Sequence, residues 1–237
     1  MDTDSKTKAP ANIVSIKWTG LVKNSTLRSH MHFWRQDRFK SLQEFIKDAD
    51  KFPEWSDYFA YCEHLERGLR KEAFAKLDGF ISSLLTMSFE ERRRFVSWLY
   101  NRVWNSGWLN TFVPHPLQTR LTDPTLIEWV ERQPDAAEPH CWLGTAEHLR
   151  RSVALDPQNE VACRRLISCI LSGMGYAIHE LPAFYLGDDP LEDLADLATA
   201  GELLTNVYNP DDRTQFAARI TEVKKLLEEY IRSQEAA

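Results

Sequence analysis

Apolar residues recur at three- and four-residue steps from about residue 41 to the end of this chain, the period of a helix with one buried face. Trp55, Tyr58, Phe59, Cys62 and Leu65 form one such stripe. Ala73, Phe74, Leu77, Phe80, Ile81 and Leu84 form another, and Gly68 between them marks the turn of a helical hairpin. A third stripe runs through Phe95, Val96, Leu99, Tyr100, Val103 and Trp104. It follows Ser88 and Glu91, a capping-box pair in which each side chain accepts from the other's backbone N–H. Ser41 and Glu44 repeat that pattern and predict a helix from 41 to about Asp50; Pro53 then opens the next one.

Residues 106–122 carry Gly107, Pro114 and Pro116 and read as a long connection and a boundary. The predicted organisation is an N-terminal arm over 1–40, partly flexible, helical hairpins over 41–107, and a helical region over 108–237 that ends in a capping helix. Asn12 to Trp18 alternates as a short strand would, with no second strand to pair with, so the arm is irregular. Asp123-Pro124 reads as a cap followed by a first-turn proline, and residues 140–154 as a helix carrying Trp142, Leu143, Ala146, Leu149 and Val153. Val161, Ala162, Leu166, Ile167, Ile170 and Leu171 form the next stripe, with Gly173 and Gly175 as breakers. A short helix from Tyr176 is stopped by Pro182. Asp189-Pro190 and Asn209-Pro210 open the last two helices, and the stripe Phe216, Ile220, Val223, Leu227 and Tyr230 predicts that the final one packs as an end cap.

The string Ala154-Leu155-Asp156-Pro157-Gln158-Asn159-Glu160-Val161-Ala162 joins two of these helices tightly. The residue before a proline is pushed out of the α region, so Asp156 ends one helix. Asn159 suits the cap of the next. This junction, with Ala162, Leu166, Ile167 and Ile170 after it, resembles the hand-over between tetratricopeptide repeats, most clearly over Pro139 to Tyr176; Gly68, Ala73 and Leu77 give the earlier hairpin a weaker resemblance. The resemblance implies an all-α fold of antiparallel helical hairpins stacked as a tetratricopeptide-like α-α superhelix. It also implies a groove in which Arg164 and Ser168 contact a partner, with Val161 and Leu171 beside them and Tyr176 at the start of the second helix. The chain departs from the family where Pro182 truncates that second helix, and in lacking a clean 34-residue self-similarity.

Charge changes this picture only regionally. The net charge is −6. Residues 1–40 hold eight Lys/Arg against three Asp/Glu, whereas residues 180–237 hold five against thirteen. This polarity suits a solvated helical surface with a solubilising tail; the alternative is that it steers a basic partner toward the C-terminal end. The segment Leu27 to Lys40 mixes Arg28, Arg35, Arg38 and Lys40 with Phe33, Trp34 and Phe39, and Arg92-Arg93-Arg94 adds a second basic run. Both raise nucleic-acid binding; the acidic remainder and the missing binding module argue against it. The four Cys are widely spaced without a CxxC pair, which fits reduced, packed thiols and a cytoplasmic setting. The N-terminus carries no leader-like apolar run and no stretch is long enough for a membrane span.

Candidate chemistry is sparse. His30 and His32 would share a face only on an extended segment. His179-Glu180 lacks the second histidine of a zinc-protease helix, because residue 183 is alanine. Adjacent His140 and Cys141 diverge on a helix. Asp188, Asp189, Glu192, Asp193 and Asp196 are the densest carboxylates, but a cap and a helix first turn account for several of them. No cofactor or metal is expected. The function expected is non-catalytic recognition of another protein or peptide through a concave helical groove. An immunity-type protein that neutralises a toxin by direct binding is one alternative. An enzyme using the carboxylates near Asp188, with His179, Tyr176 and Tyr185, is the other.

Overall fold

Every regular element in the described residues, 36–104 and 109–235 of a computed structural model, is helical, as the periodicity predicts. The Asn12–Trp18 strand, His30 and His32, and the basic aromatic segment up to Arg35 lie outside the described residues. Twelve α-helices follow in order: α1 (Gln36–Ile46), α2 (Ser56–Glu66), α3 (Arg70–Leu85), α4 (Phe89–Val103), α5 (Leu109–Phe112), α6 (His115–Leu117), α7 (Asp123–Arg132), α8 (Ala137–Leu143), α9 (Ala146–Leu155), α10 (Glu160–Ala177), α11 (Pro190–Leu203) and α12 (Pro210–Glu235).

Local capping chemistry places several of the starts. Ser88 and Glu91 form the full reciprocal box at the head of α4. Asn159 accepts from the Ala162 N–H, and Asp189 from the Leu191 N–H. Asn209 accepts from the backbone N–H of Asp211 and Asp212. Gly68 turns α2 into α3 with a φ of 76°, and the two helices pack along each other.

Four expectations fail, each for a physical reason. Ser41 is no cap, because α1 is already helical from Gln36. The stretch 109–122 is not an open connection. Its prolines sit at the entry to α6, which runs through a π-turn at Gln118–Thr122 straight into α7, so Asp123 is a helical residue rather than a cap. Tyr58 and Tyr61 on α2 donate to the Phe112 and Thr111 carbonyls at 2.6 and 2.7 Å and fasten this stretch to the core. The helix expected over 140–154 is two helices, parted where Gly144 ends α8 with a φ of 71° and Thr145 caps α9. Gly173 and Gly175 break nothing: α10 continues to Ala177, with Tyr176 in its last turn, and no second helix follows before Pro190.

Apolar burial gathers in two clusters. The first is aromatic and spans α1–α8 plus Ala162. In it Phe45 stacks on Phe112 at 4.4 Å between centroids, and Phe95 meets Trp55, Tyr58 and Phe80 at 5.2, 5.1 and 4.8 Å. Offset and edge-on ring pairs of this kind add to area burial. The second is aliphatic and is built from α9 to α12, where Ile220, Val223 and Leu227 bring α12 onto α10 and α11. Ala162 belongs to one cluster and Cys163 to the other, so α10 is the wall between them. Arg165 sits at this wall, 6% exposed, its guanidinium 5.3 and 5.5 Å from the rings of Trp104 and Trp142.

Candidate functional site

The second half of α10, the loop 178–189 and the first turns of α11 enclose a groove of about 500 Å³, with α9 forming its far side. Its floor is Ile170 and Met174, which α10 presents toward α11. The loop folds back on the helix end: the Leu186 N–H donates to the Ala177 carbonyl at 2.9 Å, and the N–H groups of Ala183 and Phe184 both donate to Glu180. Tyr185 donates its hydroxyl hydrogen to Asp193 and stacks on Tyr230 of α12 at 5.5 Å. These bonds leave the large apolar groups of the segment facing water. Tyr176 is 68% exposed, Phe184 70%, Leu191 63% and Leu186 40%. Tyr176 and Leu186 line the concavity itself, where exposed apolar surface is the kind that binds.

Five carboxylates line the groove, Asp188, Asp189, Glu192, Asp193 and Asp196, against one guanidinium, Arg150. Arg150 bonds Asp196 at 2.6 Å. Asp189 caps α11 and Asp193 accepts from Tyr185. Burial raises the Asp193 carboxyl above its ordinary range, and the Asp196 charge adds to the rise. Burial likewise raises the Cys169 thiol, more than the nearby Arg150 and Arg165 lower it, so it offers little thiolate at neutral pH. Among the described residues no three His, Cys, Asp or Glu side chains converge as a metal site would need.

The residues singled out in the sequence scatter. Tyr176 lines the groove. Arg164 bonds Asp212 of α12 at 2.7 Å. Leu171 is 5% exposed inside the aliphatic cluster. Ser168 is half-buried on α10, and Val161 packs against the aromatic cluster. The face of α10 that carries Arg164 and Leu171 is thus covered by α12, and the open concavity lies on the face of Cys169, Gly173 and Tyr176. Arg150, Met174 and Leu186 were missed, because only tertiary packing brings α9 to the end of α10.

Other candidates are structurally committed. His179 bonds its neighbour Glu180 and lies outside the groove lining. His140 faces His148, Nδ1 to Nδ1 at 2.8 Å. Cys141 is buried, its thiol pushed up to about 11, chiefly by burial. Arg92, Arg93 and Arg94 point to three different carboxylates, Glu128, Glu90 and Glu54, and form no common patch. All four cysteines are unbridged. No helix in the described residues is long and apolar enough to cross a membrane. Comparison of the chain with protein-family models, with curated proteins and with solved structures returns no match.

Proposed function

We propose that this protein is a non-catalytic binding scaffold that holds a protein or peptide in the groove between α9, α10 and α11. The carrying observation is the pair of solvent-facing apolar side chains, Tyr176 and Leu186, that line one concavity over Ile170 and Met174. A chain that leaves this much apolar surface in one place gains from covering it, at roughly 25 cal/mol per Å². Three of the five groove carboxylates are engaged, Asp189 in capping, Asp196 in an ion pair and Asp193 in a tyrosine hydrogen bond, which fits a scaffold better than an acid–base pair. We read the architecture as a stack of helical hairpins of the tetratricopeptide kind. In support, α2 packs on α3, and α7 to α12 each pack on the next helix in the chain. Serial stacking is how such scaffolds build recognition surfaces.

Photo-crosslinking in the native cell tests the assignment. A photoreactive residue at Tyr176, exposed in the groove lining, should yield a discrete protein adduct, whereas one at Ile127, also exposed but far from the groove in the chain, should not. Equal adducts at both positions, or none at 176, would remove the groove from consideration.

A further inference from the structure

We infer that the groove's occupant is a basic peptide segment with a bulky apolar anchor, Lys or Arg residues flanking one aromatic or aliphatic side chain; this rests on the groove being a protein-binding surface. Two features of the same concavity select this chemistry. The floor of Ile170 and Met174, with Tyr176 and Leu186 at the rim, offers an apolar seat. Methionine adapts its shape to the anchor placed on it. The second feature is charge. Five groove carboxylates face one cation, and that cation is held by Asp196. Neither Asp188 nor Glu192 has an ion-pair partner among the described residues, and both are exposed. They therefore meet an incoming cation without first losing an internal bond.

The same field excludes other occupants. A nucleic acid or an anionic lipid surface brings phosphate toward a concentration of negative charge, where each needs Lys and Arg. An acidic peptide meets like charge on the same wall and is repelled by it. An uncharged apolar segment fills the seat and leaves Asp188 and Glu192 unanswered. Only a basic segment with an anchor satisfies both features, and part of its affinity is electrostatic and screened by salt.

A random peptide display library selected on the full chain tests this, with the selected peptides remade with a fluorophore and titrated by anisotropy. The expected winners carry Lys or Arg on either side of a bulky apolar residue. They lose about tenfold in affinity in Y176A or L186A and again in the double variant D188N/E192Q, and they weaken with added NaCl. All these residues are exposed, and unchanged melting temperatures verify folding. Winners that need Tyr176 and Leu186 but carry no basic excess would overturn the inference while leaving the groove as a binding surface. Winners indifferent to every one of these substitutions, or no winners at all, would overturn both.

Discussion

Tyr185 closes over Gly187 to reach Asp193. A Cβ at position 187 would stand 2.6 Å from the Tyr185 ring carbon Cζ and 2.8 Å from Asp193 Oδ2, closer than carbon atoms tolerate. A methyl at 187 would thus meet the ends of two side chains, not backbone, and is admitted only as the Tyr185 ring moves. In the G187A variant the tyrosine shifts and loses its hydrogen bond to Asp193 and its stack on Tyr230. The expected cost is about 1–2 kcal/mol in urea unfolding, with Y185F costing about 1 kcal/mol through the hydrogen bond alone. Equal stability of G187A and the parent would show that the loop does not hold this closure.

A second glycine makes an opposite pair with a third. Gly144 has a φ of 71° and lies against the Arg165 guanidinium, so G144A meets both backbone strain and a crowded side chain. Gly79 lies on the exposed side of α3 with nothing within 4 Å of a Cβ. Alanine at 144 should destabilise by about 1–3 kcal/mol, and alanine at 79 should stabilise by about 0.5–1 kcal/mol through helix propensity. Thermal melts of the two variants beside the parent read the difference directly.

The His140–His148 contact predicts acid sensitivity. At 2.8 Å, one ring must carry hydrogen on Nδ1 and the other must leave it bare. Burial lowers the His140 pKa; the Pro134 carbonyl opposes that, and His148 and Arg151 lower it further. The unfolded chain therefore binds the proton more readily than the folded one. This contribution to stability is complete above the unfolded value near 6.5 and is lost as pH falls from there through the lowered folded value. The urea midpoint should drop between pH 7.5 and 5.5, above the range where carboxylates titrate, and H140N should flatten that slope. A parent midpoint constant across the window would refute it.

Arg164 holds α12 to α10 through Asp212, both side chains about a quarter exposed. R164E places two carboxylates together and should cost about 1–2 kcal/mol, partly recovered in the exchange variant R164E/D212R. Affinity for a groove ligand should stay within a factor of two, because the pair lies off the lining. A large affinity loss with unchanged stability would instead make Arg164 a direct contact.

What could be read in advance was local. The Ser88, Asn159, Asp189 and Asn209 caps were legible because each depends on a side chain and N–H groups within three residues. The Gly173 and Gly175 break was misread because each glycine costs a helix only about 1 kcal/mol, and burial of Ile170, Leu171, Met174 and Ala177 outweighs that. The Ser41 box misled because its spacing also occurs inside a helix, where α1 puts it. At the groove, Tyr176 and the acidic run were visible in the chain. The approach of Arg150 to Asp196, forty-six residues on, was not, because it follows from how α9 packs on α10. Arg164 and the groove fall on different faces of α10 for the same reason: periodicity finds a helix's faces but does not say which one a later helix covers.

The partition into an aromatic and an aliphatic core has an optical consequence. All eight tryptophans fall at or before position 142, and the groove and everything after it contain none. The five among the described residues, Trp55, Trp98, Trp104, Trp129 and Trp142, all belong to the aromatic cluster, so their indole emission reports on that cluster and not on the aliphatic one. A single tryptophan in place of Tyr176 would give the aliphatic half an emitter of its own in the groove lining.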